Sequence, residues 1–195
     1  MSSDVTEITQ LVLHERQGRD RGWWDQERSC FAEDSHVHVS WFEGSGEDFV
    51  AGSQKMSGRG EAVVHRLSPP VVHVRGDRGL VELPALIEMR TVIDGVEADL
   101  AAAARLYYRV VRRDGRWLVL DLEGVYAHDT LTPTLPGTQL AIAPGDLAPL
   151  RPSYRFLAYV LSRRGYTIDP DFLGDDRPEE VARFYQDAHA WLNDG

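Results

Sequence analysis

The chain has 195 residues, 43% of them hydrophobic and 27% charged, an ordinary globular composition, and no apolar run approaches the roughly 18 residues that a membrane span requires. A formal charge of −10 argues against nucleic acid and anionic membranes as partners, because both call for cation-rich surfaces that displace counterions. Cys30 is the only cysteine, which excludes an intrachain disulfide and any CxxC metal or redox site. The length suits one domain with an appendage. The N-terminal "MSSDVTEITQ" lacks the basic flank and apolar centre of a secretory signal, so the expected location is the cytoplasm.

In chain order, Val5, Ile8, Leu11 and Val12 recur every three or four residues, which predicts a helix from Asp4 to about Arg19 capped by Ser3. After a break at Gly22, "WWDQERSCFAED" reads as a shorter helix with Trp24 and Phe31 inward, ending near Glu33 and Asp34. "HVHVSWFEG" is β-branched and aromatic and runs into the turn-rich "EGSGED", giving a first strand and a loop. "GEAVVHRL" can form a short helix from about Gly60 to Leu67, ended by Pro69 and Pro70. Strand patterns then follow one another: "VVHVRG", "LVELPALIEMRTVI", "EADLAAAARLYYRVVRR" and "RWLVLDLEGVYAH". Asp94-Gly95 and Asp114-Gly115 separate the last three, and an Asp-Gly pair between apolar runs is a strong hairpin signal. The run Ala101 to Ala104 reads as strand, its small side chains leaving room on one face.

Helices followed by a meander of long strands predict an α+β fold, with helices packed on one face of a curved antiparallel sheet. Residues 1–136 form that domain. Residues 137–195 begin as a linker rich in proline, glycine and threonine and continue as a C-terminal helical hairpin, packed on the domain or on a partner subunit. The second helix of the pair carries a capping pattern from Asp176 to Glu179, with Pro178 in its first turn.

Three stretches taken together, "GRDRGWWDQERSCFAEDS" (18–35), "HRLSPPVVHV" (65–74) and "YYRVVRRDGRWLV" (107–119), resemble the SnoaL-like branch of the NTF2-like superfamily. That branch includes scytalone dehydratase, bile-acid dehydratases and a dehydrochlorinase, and the likeness spans about residues 4–136. It implies a cone-shaped fold, a sheet wrapped around a deep apolar pocket, and homodimerisation through the sheet. In dehydratase-like members an aspartate at the break after the first helix orients a histidine at the start of the second strand. Those positions fall on Asp20 and His65. Some members carry an arginine on the last strand, and here Leu122 stands near that place, between Asp121 and Glu123.

The value of such a pair does not depend on a family. Histidine titrates near neutrality, and a carboxylate fixes its tautomer and stabilises the imidazolium that forms. The plainer alternative is that Asp20 and His65 only cap helices. Asp25 and Glu15 are the other nearby carboxylates, and both are expected to be exposed. Trp24, Phe31, Val39, Trp41, Leu106, Leu118 and Leu120 are the expected pocket wall. Tyr108 is the candidate donor to a substrate carbonyl, with the choice between Tyr107 and Tyr108 left open by their opposite strand parity. His36, His38 and His73 could in principle form a three-histidine site, but no metal motif accompanies them, so no metal or other cofactor is expected.

The expected function is a cofactor-independent lyase or isomerase of the dehydratase kind, acting on a small apolar metabolite of the polycyclic, polyketide or terpenoid type. His65 would be general acid/base, Asp20 its orienting partner, and Tyr108 the polarising group. Two other readings stay open: an aldol cyclase or epoxide hydrolase with a carboxylate base, and a non-catalytic ligand-binding protein.

Overall fold

The computed structural model describes residues 3–194. Helix α1 runs Asp4–Arg21; the Ser3 hydroxyl accepts from the Thr6 N–H, and Gly22, at φ 69°, closes the helix in the left-handed region. Ile8 and Val12 are fully buried, whereas Val5 faces outward. Helix α2 is only Trp24–Arg28, shorter than its sequence suggests, and Phe31 is not its last inward residue but the first of strand β1, Phe31–Val39. Pairing overrides propensity there, because Phe31 aligns with Val119 of the last strand in a parallel ladder. Strand β2, Phe42–Ser45, returns antiparallel along β1 and leads into α3, Gly46–Gly58.

The helix expected over residues 60–67 is absent. Val64–Leu67 is strand β3, with Val63, His65 and Leu67 turned inward and Val64 and Arg66 outward. That two-residue period satisfies a ladder with β5 from Ala85 to Glu88, which a helix could not. Pro69 and Pro70 then separate β3 from β4, Val71–Arg75, and both strands lie end to end along β5, Arg78–Ile93.

Strands β6, Val96–Arg113, and β7, Arg116–Pro133, complete two long hairpins. Asp94-Gly95 and Asp114-Gly115 all have positive φ, 49° and 86° in the first turn and 50° and 75° in the second, the requirement of a type I′ turn. The sheet order is β2-β1-β7-β6-β5-β3, with β4 also on β5. Cross-strand pairs Val81↔Tyr108, Leu83↔Leu106, Ala85↔Ala104 and Ile87↔Ala102 mark its inner face.

Short helix α4, Pro144–Leu147, and a 3₁₀ turn at Pro152–Tyr154 lead to α5, Arg155–Arg163, and finally α6, Pro178–Asn193. The last two helices do not pair as a hairpin. Leu157, Val160 and Leu161 of α5 join the inner-face cluster with Leu100, Ala102 and Tyr126, whereas Ala188 and Leu192 of α6 cover Leu80 and Tyr107 on the outer face. The alanines at 102 and 104 leave the room that α5 fills. Asp176 does not cap α6: its carboxylate is taken by Arg151 and the Ser153 hydroxyl, and Arg177 occupies the cap position without a side-chain bond. Among the described residues, no helix is long and apolar enough to cross a membrane.

Candidate active site

Asp20 stands in the last turn of α1 and His65 on β3, forty-five positions apart, and their side chains meet. Asp20 Oδ1 lies 2.6 Å from His65 Nδ1, and Asp20 Oδ2 accepts the His65 backbone N–H at 2.7 Å. The second bond explains why a strand suits His65. β3 is an edge strand whose outward N–H groups have no ladder partner, and Asp20 accepts this one. The carboxylate therefore holds backbone and ring together. With the proton on Nδ1, the lone pair is on Nε2.

The electrostatics favour neutral imidazole beside charged carboxylate. Burial opposes ionisation of Asp20, but the hydrogen bonds from His65 outweigh it and hold the carboxyl below the usual range. Burial likewise opposes a charged His65 and, helped by the Arg16 guanidinium, wins over Asp20, so the ring titrates below its ordinary value.

His65 opens on a cavity between the inner face of the sheet, α1 and α5. Val39, Trp41 and Leu106 line it as expected from their positions, and so do three groups that were not anticipated: Arg16 and Arg19 of α1, Tyr126 of β7, and Leu157 and Leu161 of α5. The Tyr126 hydroxyl accepts the Ser40 N–H at 2.7 Å, and Gly124 makes room for its ring, since a Cβ there would stand 2.9 Å from the hydroxyl oxygen. The arginines carried a legible signal. Ile8, Val12, Glu15, Arg16 and Arg19 fall on one helical stripe, so charge sits on a face that the apolar spacing marks as buried.

The other expected site residues lie elsewhere. Tyr108 is on the inner face but wholly buried beneath the cavity, where its hydroxyl donates to Glu15 Oε2 at 3.0 Å; it is not placed to donate to a ligand. Glu15, expected to be exposed, is completely buried by this bond and by its ion pair with Arg16. Tyr107 faces outward against Phe184 and Tyr185. Trp24 packs over Gly22, and Phe31 packs edge-on against Phe49, neither reaching the cavity. Leu118 and Leu120 have the wrong parity: Trp117 and Val119 point inward on β7, and the two leucines are partly exposed on the other side. His36 and His38 approach Glu43 and Glu123, His73 faces His189, and among the described residues no group of His, Cys, Asp and Glu is arranged to hold a metal ion.

The sequence profile of the SnoaL-like domain matches residues 1–123. The chain belongs to the SnoaL-like family. This SnoaL-like protein is 29% identical over 147 residues to a PEP2-like protein of Fusarium vanettenii, covering 72% of its own length and 62% of that relative's. It thus spans less than two thirds of the relative it matches. Its fold is similar to that of a candidate scytalone dehydratase from Novosphingobium aromaticivorans, with TM-score 0.54 and 17% identity over 70% of this chain and 95% of that one. It is also similar to a type 2 hexachlorocyclohexane dehydrochlorinase, LinA, with TM-score 0.56 and 19% identity over 71% and 93% of the two chains.

Beneath the SnoaL-like cavity lies a second carboxylate. Glu27 of α2 is fully buried, neither of its oxygens has a hydrogen-bond partner among the described residues, and α2 reaches this depth because Gly18 has no Cβ to strike the Glu27 backbone. Burial and the nearby Glu15 push its carboxyl up to about 8. Between the unfolded value near 4.5 and that folded value, the folded chain keeps a proton that the unfolded chain has lost. Stability therefore falls as pH rises through this window. Glu27→Gln should remove that slope, raising the melting temperature by about 4 °C or more at pH 8.5 and converging on the parent near pH 5, as scanning calorimetry across pH would register.

Proposed function

We propose that this SnoaL-like protein is a lyase or isomerase of the dehydratase kind, with His65 as general acid/base and Asp20 as its positioning partner. The observation that carries the reading is the Asp20–His65 hydrogen bond at the wall of an apolar cavity. His65 Nε2 takes a proton from carbon alpha to a substrate carbonyl; the C–H electron pair becomes a carbon–carbon π bond, and the carbonyl π pair moves onto oxygen. If a β-hydroxyl is present, the imidazolium returns the proton to it, and water leaves as the unsaturated carbonyl forms. Without a leaving group, return of the proton at the γ-carbon of an unsaturated substrate migrates the double bond. Asp20 stays ionised throughout and compensates the imidazolium. The fold likeness to a candidate scytalone dehydratase and to a dehydrochlorinase, names that denote eliminations, points the same way.

The test is a panel of β-hydroxy ketones and enolisable cyclic ketones, followed by NMR in deuterated water for elimination and for exchange at the α-carbon. The parent should promote one or both with at least one scaffold, and His65→Gln should lower that rate by about 10²–10⁴ while leaving the melting temperature near the parent's. A His65→Gln protein with undiminished turnover sinks the assignment.

A further inference from the structure

Resting on that reading, we propose that Arg19 is the oxyanion-binding group of the cavity, so that the ligand is a neutral apolar carbonyl compound whose oxygen becomes an enolate against the Arg19 guanidinium. Arg19 is only 5% exposed and shares the cavity wall with His65. Its neighbour Arg16 is equally buried, but Arg16 has its guanidinium fork engaged by the Glu15 carboxylate. Arg19 has no such counterion. Among the described residues its one hydrogen-bond contact is from Nη2 to Met56 Sδ at 3.1 Å, and its guanidinium sits over the Trp41 ring at 5.8 Å. A thioether and an aromatic face are weak partners, and neither matches a guanidinium's planar set of five donors.

The neighbouring acids do not fill the gap. Glu15 is committed to Arg16 and Tyr108, Asp20 to the backbone N–H and ring Nδ1 of His65, and both oxygens of Glu27 are without a hydrogen bond among the described residues. A buried cation without a bonded anion is costly, and here it borders the cavity on which His65 opens. The charge count fits a neutral ligand. Asp20 offsets the imidazolium once His65 has taken the proton, which leaves the enolate oxygen as the new negative charge and Arg19 as the cation without a partner. Arg19 thus does what Tyr108 cannot do from beneath the cavity. It also stands on α1, whereas the arginine of some relatives belongs to the last strand, where this chain has Leu122.

The measurement uses 4-nitrophenol, a planar probe whose phenolate stands in for the enolate and has its own visible absorption. Titrating the probe against the intact protein across pH should show the phenolate bound about tenfold or more tightly than the phenol, a fall of about one unit in the bound probe's pKa. The same preference should appear in His65→Gln, which separates this inference from failure of the proposed base. Arg19→Met should abolish it. Arg19→Lys, which keeps the charge and the volume and guards against a Met variant that does not fold, should retain a reduced preference. Tighter binding of the phenol by the parent, no binding of the probe at millimolar concentration, or a preference unchanged in both Arg19 variants would each overturn the proposal.

Discussion

Asp20→Asn is expected to lower kcat/KM by about 10³–10⁴ while the protein stays folded, an effect on the scale seen when an aspartate that orients a catalytic histidine loses its charge. Asparagine keeps an oxygen for the His65 backbone N–H, which Asp20 Oδ2 now accepts at 2.7 Å, so β3 should remain in place. Its amide, however, presents a donor where Asp20 Oδ1 presents an acceptor at 2.6 Å. A donor facing Nδ1 selects the tautomer with the proton on Nε2, and the ring then meets the substrate with its proton instead of its lone pair. The charge that stabilises imidazolium is lost as well. In the parent, His65 titrates below its ordinary value because of burial and Arg16, so the rising limb of kcat/KM should lie below pH 6.5, with activity lost as pH falls through it. In Asp20→Asn that limb should move lower still, since the carboxylate is the influence that raises the ring's affinity for a proton. Pre-steady-state and pH-rate measurements on the two proteins check both statements, and an Asn variant with parental kcat/KM would rule out the positioning role.

Removing residues 137–195 is expected to prevent stable folding, although the SnoaL-like match ends at residue 123. Tyr154, Leu157, Val160, Leu161 and Phe172 are each at most 3% exposed and form one cluster with Leu100, Ala102 and Tyr126 of the sheet. Burying five side chains of this size contributes on the order of 10 kcal/mol. Net stabilities of whole domains are about 5–15 kcal/mol, so the truncated chain should be unfolded or aggregated at 25 °C. Specific bonds add to the burial: Asp129 of β7 accepts the Leu157 N–H at 2.7 Å near the start of α5, and Tyr126 exchanges backbone hydrogen bonds with Leu173 and Asp175. Deleting only α6, from Pro178 onward, should be milder, because it uncovers chiefly Leu80 and Tyr107 on the outer face. Circular dichroism melts of the two truncations give the comparison. A cooperatively melting 1–136 fragment with near-parental stability would show that α5 is dispensable to the fold.

The sequence by itself determined the features that depend on local chemistry. Two Asp-Gly turns fixed the long hairpins because few residues tolerate positive φ, and Ser3 with Gly22 bounded α1 through capping. The resemblance placed Asp20 and His65 as partners, and the fold brings them to hydrogen-bonding distance. Only the tertiary structure decided what surrounds them. Periodicity could not distinguish strand from helix over the four residues of β3, because the choice is made by the β5 edge that receives them. Parity on β7 is displaced by irregularities in its pairing with β6, which left Leu118 and Leu120 on the side away from the cavity. Tyr108 did prove to face inward, but depth along the sheet axis, not parity, set it beneath the cavity on Glu15. The difference between Arg16 and Arg19, one paired with the Glu15 carboxylate and one with only Met56 Sδ as its hydrogen-bond contact among the described residues, has no local signature at all. It depends on which buried carboxylate the packing of α1, α2 and the sheet brings within reach, and pairing of that kind is settled only when the whole chain is folded.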